Sequence, residues 1–474
     1  MHAATPFDLV VLGAGPAGVH AAIAGALLGK SVALIERGTH IGGALVNTGT
    51  LPSKTLRETA LTLAGVRARG LQVDVALRHA ASVGDLLRHE RSVAETERER
   101  LGGMLDELRV KRFAGTARFA DPHTVEVLSN DVVHAHVRGE KIVIATGSSP
   151  SRPAEFPFEH ARVYDSDEIL ALGTLPRRLA VIGAGVIGAE YACTFAALGA
   201  EVHLVDGRDV LLPFLDAELS RALADAMAAN GIRFHWKERV LACAAPPDGD
   251  ITLELSSTAH LTVDSVLVAA GRRSNVDALA LDKAGLAAGE RGLLAVDEAF
   301  RTSVPHIHAV GDVIGFPSLA STSMEQARLA VCLAFDMPYK REISALLPSG
   351  IYTIPEASCA GATEEQLRER GEDYIAGRAR YAQNSRGTII GDRQGFLKLL
   401  FRRADMKLLG VHVLGELATE LVHIGLMTMI CGGGAAELNA ACFNVPTLSE
   451  LYKAATYRAQ LARDRPNGMP ASEW

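Results

Sequence analysis

The sequence has no closely spaced pair of cysteines. It contains six cysteines in 474 residues, and none has the C-x-x-C or C-x-x-x-x-C spacing of a redox pair or the spacing of metal ligands. The pattern therefore predicts no metal site and excludes a redox disulfide between neighbouring cysteines. We expect isolated reduced thiols, as in cytosolic proteins, at Cys193, Cys243, Cys332, Cys359, Cys431 and Cys442.

The sequence also lacks a long apolar run and a large excess of charge of one sign. The 48 basic and 55 acidic side chains give a net charge of −7, which provides no reason to expect a nucleic acid or an anionic membrane as partner. No apolar run is long enough to span a bilayer, and too few residues precede the first predicted strand for a signal peptide. We therefore expect a cytoplasmic protein.

Glycine, in contrast, is abundant. The chain has 45 glycines and is 48% hydrophobic, which is typical of an α/β protein with many strand-to-helix turns. One strand–turn–helix–strand unit occurs twice, as DLVVLGAGPAGVHAAIAGALLGKSVALIER (8–37) and LAVIGAGVIGAEYACTFAALGAEVHLVDGR (179–208). Five residues recur at the same spacing in the two copies: Gly13, Gly15, Gly18, Gly29 and Glu36 correspond to Gly183, Gly185, Gly188, Gly199 and Asp206.

Each copy has the chemistry of a dinucleotide-binding turn. The first glycine permits the tight turn, the second lets the backbone approach a pyrophosphate, and the third lets the helix pack on the strand. The helix N-terminus offers free N–H groups to the phosphates, and the acid accepts hydrogen bonds from a ribose diol. The sequence therefore predicts two bound dinucleotides. In the second copy, Asp206 suits an unphosphorylated ribose, whereas Arg208 suits a 2′-phosphate.

The order of motifs along nearly the whole chain resembles the pyridine nucleotide–disulfide oxidoreductase flavoproteins. VVLGAGPAG is similar to their FAD turn, and KIVIATGSSP (141–150) to the strand that closes the first FAD segment. VIGAGVIGAE is similar to the NAD(P) turn, and VAAGRRSN (268–275) to the end of that domain. HAVGDV (308–313) resembles the second FAD fingerprint, and YTIPEASCAGATEEQ (352–366) the start of the dimerisation domain.

The resemblance implies an α/β fold with two Rossmann-like dinucleotide-binding domains and a C-terminal α+β dimerisation domain. FAD would be held by residues 1–150 and a return segment, 276–345, with the NAD(P)-binding domain, 151–275, inserted between them. Residues 346–474 would form the interface of a homodimer, and assembly beyond the dimer stays open. Nicotinamide dinucleotides, NAD(H) and NADP(H), would be the substrates.

The same resemblance assigns site residues. Lys54 and Glu190 correspond to the pair that packs beside the flavin, where the ammonium stabilises negative charge and the carboxylate compensates a buried cation. The cofactor-binding positions that the motifs imply are Gly13, Gly15, Gly18, Glu36, Gly43, Thr146, Gly147, Gly183, Gly185, Gly188, Asp206, Arg208, Gly271, Asp312 and Ala320.

The chain departs from the disulfide-reducing members at two linked places. Leu45 and Thr50 stand in GGALVNTGTLPSK where those enzymes have their cysteine pair, and Val445 in FNVPTLSE occupies the position of their catalytic histidine. Glu450, which orients that histidine, is present. The thiol and its acid–base partner are absent together, so reduction of a disulfide substrate through a dithiol is excluded.

Soluble pyridine nucleotide transhydrogenases resemble the chain most closely, in GTLPSKTLRETA, GDVIGFPSLAS and FNVPTLSELYKAA among other stretches. That family also lacks the histidine, but it keeps a cysteine where Leu45 stands. The resemblance implies hydride transfer between NADPH and NAD through FAD, in one nicotinamide pocket. Two alternatives stay open: an NAD(P)H:quinone or dye reductase of the same fold, and a non-catalytic redox-sensing flavoprotein.

Two further features have structural interpretations. Residues 67–112 carry dense charge at helical spacing, which predicts a solvated helical excursion. His423 lies on an apolar helix pattern and is expected to be a packed or interface residue, while His20 and His412 have no motif support. Hydride transfer alone requires no general base, so none of the three is assigned a role in the reaction.

Overall fold

The computed structural model describes residues 4–64 and 83–464. Its strands are β1 Thr5–Leu12, β2 Val32–Glu36, β3 Lys111–Ala114, β4 Thr116–Phe119, β5 Thr124–Ser129, β6 Val132–Ile144, β7 Ser148–Pro150, β8 Val163–Asp165, β9 Arg178–Ile182, β10 Glu201–Asp206, β11 Arg233–Trp236, β12 Val240–Ala244, β13 Ile251–Leu255, β14 His260–Val263, β15 Ser265–Val268, β16 Arg272–Ser274, β17 Ile307–Ala309, β18 Ser349–Ile351, β19 Ala357–Gly361, β20 Tyr374–Arg380, β21 Phe396–Arg402 and β22 Leu408–Leu414.

The α-helices are α1 Pro16–Leu27, α2 Gly43–Asn47, α3 Thr50–Leu63, α4 Val83–Glu107, α5 Val186–Ala197, α6 Ala217–Ala229, α7 Ala320–Ala334, α8 Glu364–Glu369, α9 Ser385–Ile390, α10 Ala418–Ile430, α11 Ala435–Ala440 and α12 Glu450–Arg463. They alternate with strands around the two glycine turns, in the orders β1–α1–β2 and β9–α5–β10–α6–β11. In the part of the chain that the structure describes, no helix combines the length and apolar character needed to cross a membrane.

The first sheet is built around β1. Its order is β3-β2-β1-β6-β5-β4; β1 pairs in parallel with β2 and β6, and β17 pairs in parallel with β6, whereas β5 and β4 are added in antiparallel orientation. Leu9 and Val11 pack into one core with α1 and α4, whereas Val10 and Leu12 pack into a second core on the opposite face. Both faces of β1 are therefore buried, which explains why its carboxyl half is a continuous apolar run. Connections to β2 and β6 on either side of β1 open a crevice at its carboxyl end.

The second sheet repeats this arrangement. Its order is β11-β10-β9-β15-β8, all parallel, so β9 lies between two parallel neighbours as β1 does. A separate antiparallel sheet, β12-β13-β14, packs against it through Ile251, Leu253 and Val263. The predicted pair of Rossmann-like units is confirmed.

The third sheet is antiparallel, in the order β18-β19-β22-β21-β20. Its buried residues, among them Leu397, Leu399 and Val411, form one core with α10 and α12. Helices packed on one antiparallel sheet make this part α+β, as predicted.

Each of the three sheets, with the helices packed on it, forms one unit of the chain. The limits of these three units follow the connections between the sheets. Strand β7 pairs with β16, so the chain leaves the first unit and returns to it through one two-stranded ribbon. Strand β17 of the return segment then joins β6 of the first sheet. We keep the divisions after residues 150, 275 and 345 as a proposal, since they lie at or close to this ribbon and before β18.

The helix predicted within 67–112 is confirmed for residues 83–107, but the expectation of a solvated excursion is wrong there, because one face of the helix is buried. Residues 83–107 form α4, whose inner face is buried through Ala94, Leu101 and Leu105 in the core around β1. Residues 111–114 then form β3, which pairs with β2. The charged residues other than Glu90 lie mainly on the outer face, so the dense charge of the sequence obscured the buried face of an amphipathic helix. The rest of that prediction, 67–82, lies outside the described residues.

His308 is a buried titratable group on β17. It is 1% exposed, and its Nδ1 atom has no hydrogen-bond partner among the described residues. Burial, assisted by the charge of Lys141, lowers its pKa to about 4 from the ordinary 6.5. The unfolded chain therefore takes up a proton at this residue before the folded chain does, so its stability contribution is present above pH 6.5 and is lost as the pH falls towards 4.

We expect His308→Gln to remove this part of the acid sensitivity. Between pH 7 and 5 the wild type should lose about 2 kcal/mol more of its free energy of unfolding than the variant does. Urea unfolding followed by circular dichroism at both pH values measures the difference, with the exposed His260→Gln as control. Equal losses in wild type and His308→Gln would contradict the assignment.

Candidate functional site

A cavity of about 510 Å³ opens at the carboxyl end of β1. Its volume lies within the ~300–1,000 Å³ range of ligand sites, and its place is the crevice where such folds bind ligands. Segments that are far apart in sequence form its walls: the first glycine turn, α2, residues 145–149 and residues 310–312. The predicted residues on its lining are Gly13, Gly15, Glu36, Gly43, Leu45, Thr50, Thr146, Gly147, Asp312 and Ala320.

The first and third glycines of each turn are required by the fold itself. Gly13 and Gly183 have φ angles of 99° and 102°, which side chains larger than glycine rarely adopt. A Cβ on Gly18 would overlap the carbonyl oxygen of Gly13, and a Cβ on Gly188 would overlap that of Gly183. The helix thus packs directly on the turn in both units.

The second glycine has a different role. Around Gly185, no described atom lies within 4 Å of the position that a Cβ would take, and its φ of −76° is open to any residue. The glycine therefore leaves space that the protein does not fill, as a close approach by a pyrophosphate requires. In the first unit Gly43 approaches the equivalent Gly15, since a Cβ on Gly43 would lie 2.6 Å from the Gly15 Cα.

The acid at the end of each second strand holds its glycine turn. Glu36 Oε2 accepts the Ala14 N–H at 2.6 Å, and Asp206 Oδ2 accepts the Ala184 N–H at 2.7 Å. Burial by itself would raise the pKa of Asp206, but hydrogen bonds from Arg208 and from Ala184 lower it below its ordinary value. Asp206 is therefore an anion at neutral pH.

The cavity residues fit FAD. Thr146 Oγ1 is buried and has no hydrogen-bond partner among the described residues, which leaves a polar atom for a ligand to satisfy. Around Gly147, with φ 67°, a Cβ would meet nothing within 4 Å in the described chain. Asp312 accepts the Ser148 hydroxyl at 2.7 Å and lines the cavity, and Ala320 begins α7 at its rim. Glycine turn, acid and open backbone together suit an adenine dinucleotide.

Lys54 and Glu190 meet across two units. Lys54 Nζ on α3 donates to Glu190 Oε2 on α5 at 2.6 Å, and Glu190 Oε1 accepts the backbone N–H of Tyr352 at 2.9 Å. The Tyr352 ring lies over the ammonium, 5.2 Å from Nζ to the ring centre. The Glu190 side chain is 8% and the Lys54 side chain 24% exposed, so each charge is compensated in a partly dehydrated position. Lys54 lies one turn after Thr50, which lines the cavity.

The structure brings the two former redox positions to the cavity without any sulfur. Leu45 and Thr50 line it, and all six cysteines are free thiols. Val445 is 68% exposed and Glu450 begins α12, both in the C-terminal unit. Within residues 4–64 and 83–464 no group of His, Cys, Asp and Glu side chains is arranged to hold a metal ion.

The three histidines considered in the sequence, His20, His412 and His423, have different environments. His423 is exposed in the single chain, so the packed alternative is wrong and the interface alternative stays a prediction. His412 is buried and its Nε2 lies 3.0 Å from the Ala362 carbonyl oxygen, while His20 Nδ1 lies 2.9 Å from that of Pro16.

Sequence reasoning missed the residues that support Lys54. Tyr352 lies inside a motif that was recognised, but nothing in the motif indicates that its ring and its N–H serve the ion pair. Arg57, one turn after Lys54, forms an ion pair with Glu356 at 3.1 Å and donates to the Thr353 carbonyl at 3.0 and 3.1 Å. A buried arginine on a helix gives no signal that distinguishes it from a surface one.

Two dinucleotide turns, one cavity suited to FAD and a lysine–glutamate pair beside it define a flavin-dependent pyridine nucleotide oxidoreductase. Residues 7–327 match the family described as pyridine nucleotide-disulphide oxidoreductase, and residues 347–456 match its dimerisation domain. The chain therefore belongs to the pyridine nucleotide-disulphide oxidoreductases, which confirms the predicted family and the FAD cofactor.

Similar proteins cover nearly the whole chain. The soluble pyridine nucleotide transhydrogenase of Mycobacterium bovis (strain BCG) is 47% identical over 94% of this chain and 96% of the relative. That of Pseudomonas putida (strain W619) is 40% identical over 95% and 97%. Among solved structures, the HOCl-induced flavoprotein disulfide reductase RclA from Escherichia coli has a TM-score of 0.85 at 26% identity, covering 95% and 99%. LpdA from Mycobacterium tuberculosis, with a TM-score of 0.88 at 24% identity over 96% and 99%, shares the fold.

We expect Gly185→Ala to weaken nicotinamide nucleotide binding without unfolding the protein. The added methyl group would occupy only the space that the turn leaves open, so the Kd for NADH should rise about tenfold or more while the melting temperature is kept. Titration calorimetry and thermal unfolding measure the two effects.

Two other glycines serve as controls for this variant. Gly188→Ala should unfold the second unit, because its methyl group would overlap the Gly183 carbonyl, and Gly173→Ala should change neither property. Unchanged NADH binding in Gly185→Ala would show that the open space is not the pyrophosphate site.

Proposed function

We propose that this chain is a soluble-type pyridine nucleotide transhydrogenase that exchanges hydride between NADPH and NAD. The observation that carries the proposal is the Lys54–Glu190 pair at 2.6 Å beside a cavity whose redox positions are Leu45 and Thr50. The relatives at 40–47% identity are named soluble pyridine nucleotide transhydrogenase. FAD, when bound, accepts hydride from one nicotinamide nucleotide and passes it to the other, so no disulfide is needed.

The residues of the chain supply binding and electrostatics. The glycine turns and their helix N-termini bind the two pyrophosphates, and Glu36 orients the first turn through its hydrogen bond to Ala14. Lys54 supplies a fixed positive charge on the helix that starts at the cavity. Glu190 and the Tyr352 ring hold that ammonium in one place, so its field costs no reorganisation during the reaction.

We assign the following residues to these sites as part of the proposal. Lys54 and Glu190 act in the reaction. FAD is bound by Gly13, Gly15, Gly18, Glu36, Gly43, Thr146, Gly147, Asp312 and Ala320, and the nicotinamide nucleotides by Gly183, Gly185, Gly188, Asp206, Arg208 and Gly271. Gly271, with φ 103°, follows the Ala269–Ala270 segment that packs on Gly183.

We further propose that the enzyme works as a homodimer in the cytoplasm. The C-terminal unit leaves several large apolar side chains exposed in the single chain, among them Val445 at 68%, Leu461 at 58% and Met427 at 54%. Such apolar surface is typical of an interface. The six free thiols support a reducing compartment.

The direct test mixes the protein with NADPH without oxygen and then with thio-NAD⁺. We expect the flavin absorbance to fall in the first step and to return as thio-NADH forms. A quinone or dye reductase would instead turn over a benzoquinone much faster than thio-NAD⁺. A flavin that passes no hydride to thio-NAD⁺ or to the quinone would support the non-catalytic alternative, and either result would contradict the proposal.

We expect Lys54→Met to slow flavin reduction by NADPH about a hundredfold, because one preorganised charge of this kind lowers the activation free energy by about 3 kcal/mol. Stopped-flow absorbance under anaerobic conditions measures the rate. The exposed Lys283→Met is the control and should keep the wild-type rate. A wild-type rate in Lys54→Met would remove Lys54 from the reaction.

A further inference from the structure

Arg208 closes over the acid at the end of β10. Its Nε lies 2.8 Å from Asp206 Oδ1 and its Nη2 lies 2.7 Å from Oδ2, so the guanidinium engages both carboxylate oxygens. The same oxygens accept the backbone N–H groups of Arg208 at 2.9 Å and Ala184 at 2.7 Å. Each oxygen therefore has two donors, which saturates a carboxylate. A ribose diol can bind Asp206 only after Arg208 moves away.

Arg208 is able to move because its side chain is 48% exposed and, among the described residues, has no hydrogen-bond or ion-pair partner other than that carboxylate. Asp206, in contrast, is 8% exposed and stays fixed to the glycine turn through Ala184. If the pair separates, we therefore expect the arginine to move and the acid to keep its place.

A second guanidinium lies beside this pair. The side chain of Arg239 lies against Gly207, since a Cβ built there would be 3.4 Å from the Arg239 Nε. Backbone hydrogen bonds from Glu238 to Asp206 and from Lys237 to Arg208, at 3.1 and 3.0 Å, tie the two segments together. For the Arg239 guanidinium, the described residues provide no hydrogen-bond or ion-pair partner, whereas Lys237 is paired with Asp209 at 3.0 Å.

The charges of Asp206, Arg208 and Arg239 suit both a ribose with a 2′-phosphate and a ribose with a free diol. A 2′-phosphate carries about two negative charges, which the Asp206 carboxylate alone would repel. Arg208 neutralises Asp206, and Arg239 then leaves the group with a net positive charge. Without Arg208, the same acid is a free acceptor for a 2′,3′-diol.

We propose that Asp206, Arg208 and Arg239 form one ribose site with two states. When NADP(H) binds, Arg208 stays on Asp206 and shares the 2′-phosphate with Arg239. When NAD(H) binds, Arg208 releases Asp206, which accepts the ribose diol. This inference rests on the proposed function, since an enzyme that exchanges hydride between the two nucleotides must accept both.

The test measures binding of two probes to the FAD-loaded protein by titration calorimetry. Adenosine 2′,5′-bisphosphate and adenosine 5′-monophosphate differ only in the 2′-phosphate. Arg239→Ala should weaken the bisphosphate about tenfold, the loss expected for one charge-assisted contact, and leave the monophosphate unchanged. Arg208→Ala should weaken binding of the bisphosphate by a similar factor. It should strengthen binding of the monophosphate, because Asp206 becomes a free acceptor for the ribose diol.

Two further variants complete the experiment. Arg233→Ala removes a positive charge at the opposite end of β11 and should leave the ratio of the two affinities unchanged. Arg239→Lys keeps the charge and should restore part of the preference, which keeps the test decisive if Arg239→Ala folds poorly. Equal losses for both probes in Arg239→Ala, or no loss for either, would overturn the inference.

Hydride exchange measured in parallel separates this inference from the proposed function. If the wild-type protein exchanges no hydride but Arg239→Ala still loses its preference for the bisphosphate, the proposed function alone is overturned. If the wild-type protein exchanges hydride but Arg239→Ala keeps its preference for the bisphosphate over the monophosphate, the two-state ribose site alone is overturned.

Discussion

The ion pair between Lys54 and Glu190 is the contact on which the arrangement of the three units depends. Lys54 belongs to the first unit and Glu190 to the second, and the second carboxylate oxygen accepts the backbone N–H of Tyr352, which follows β18 in the third. Removing one member would leave a partly buried charge or N–H without its partner, which is commonly far more costly than replacing both. The pair therefore joins the site to the packing of the whole chain.

Arg57 extends this junction by one helical turn. It pairs with Glu356, and Glu356 in turn accepts the Thr419 hydroxyl of α10 at 3.0 Å. Two cations, Lys54 and Arg57, thus attach the helix that starts at the cavity to the short segment between β18 and β19 of the antiparallel sheet. Rigid support of this kind is what a preorganised charge requires.

The two dinucleotide turns show how one backbone design accepts different surroundings. Both use the first and third glycines for packing and the acid to hold the turn, so the two glycines follow from the fold and carry no nucleotide preference. The differences lie outside the turn: Leu45 and Thr50 line the enclosed cavity of the first unit, whereas Arg208 and Arg239 surround the acid of the second. We therefore propose that a few side chains at the edges of the two sites decide which nucleotide each one binds.

The sequence by itself determined the duplicated unit, the family and the absence of a redox disulfide, because glycine spacing, strand patterns and missing cysteines are local properties. It also pointed to Lys54 and Glu190, although they are 136 residues apart, because both lie inside recognisable motifs. Only the tertiary structure decided that Tyr352 covers the ammonium, that α4 belongs to the core, and that Arg239 lies beside Asp206 and Arg208. These contacts join segments whose separation along the chain carries no periodic signal, so packing alone brings them together.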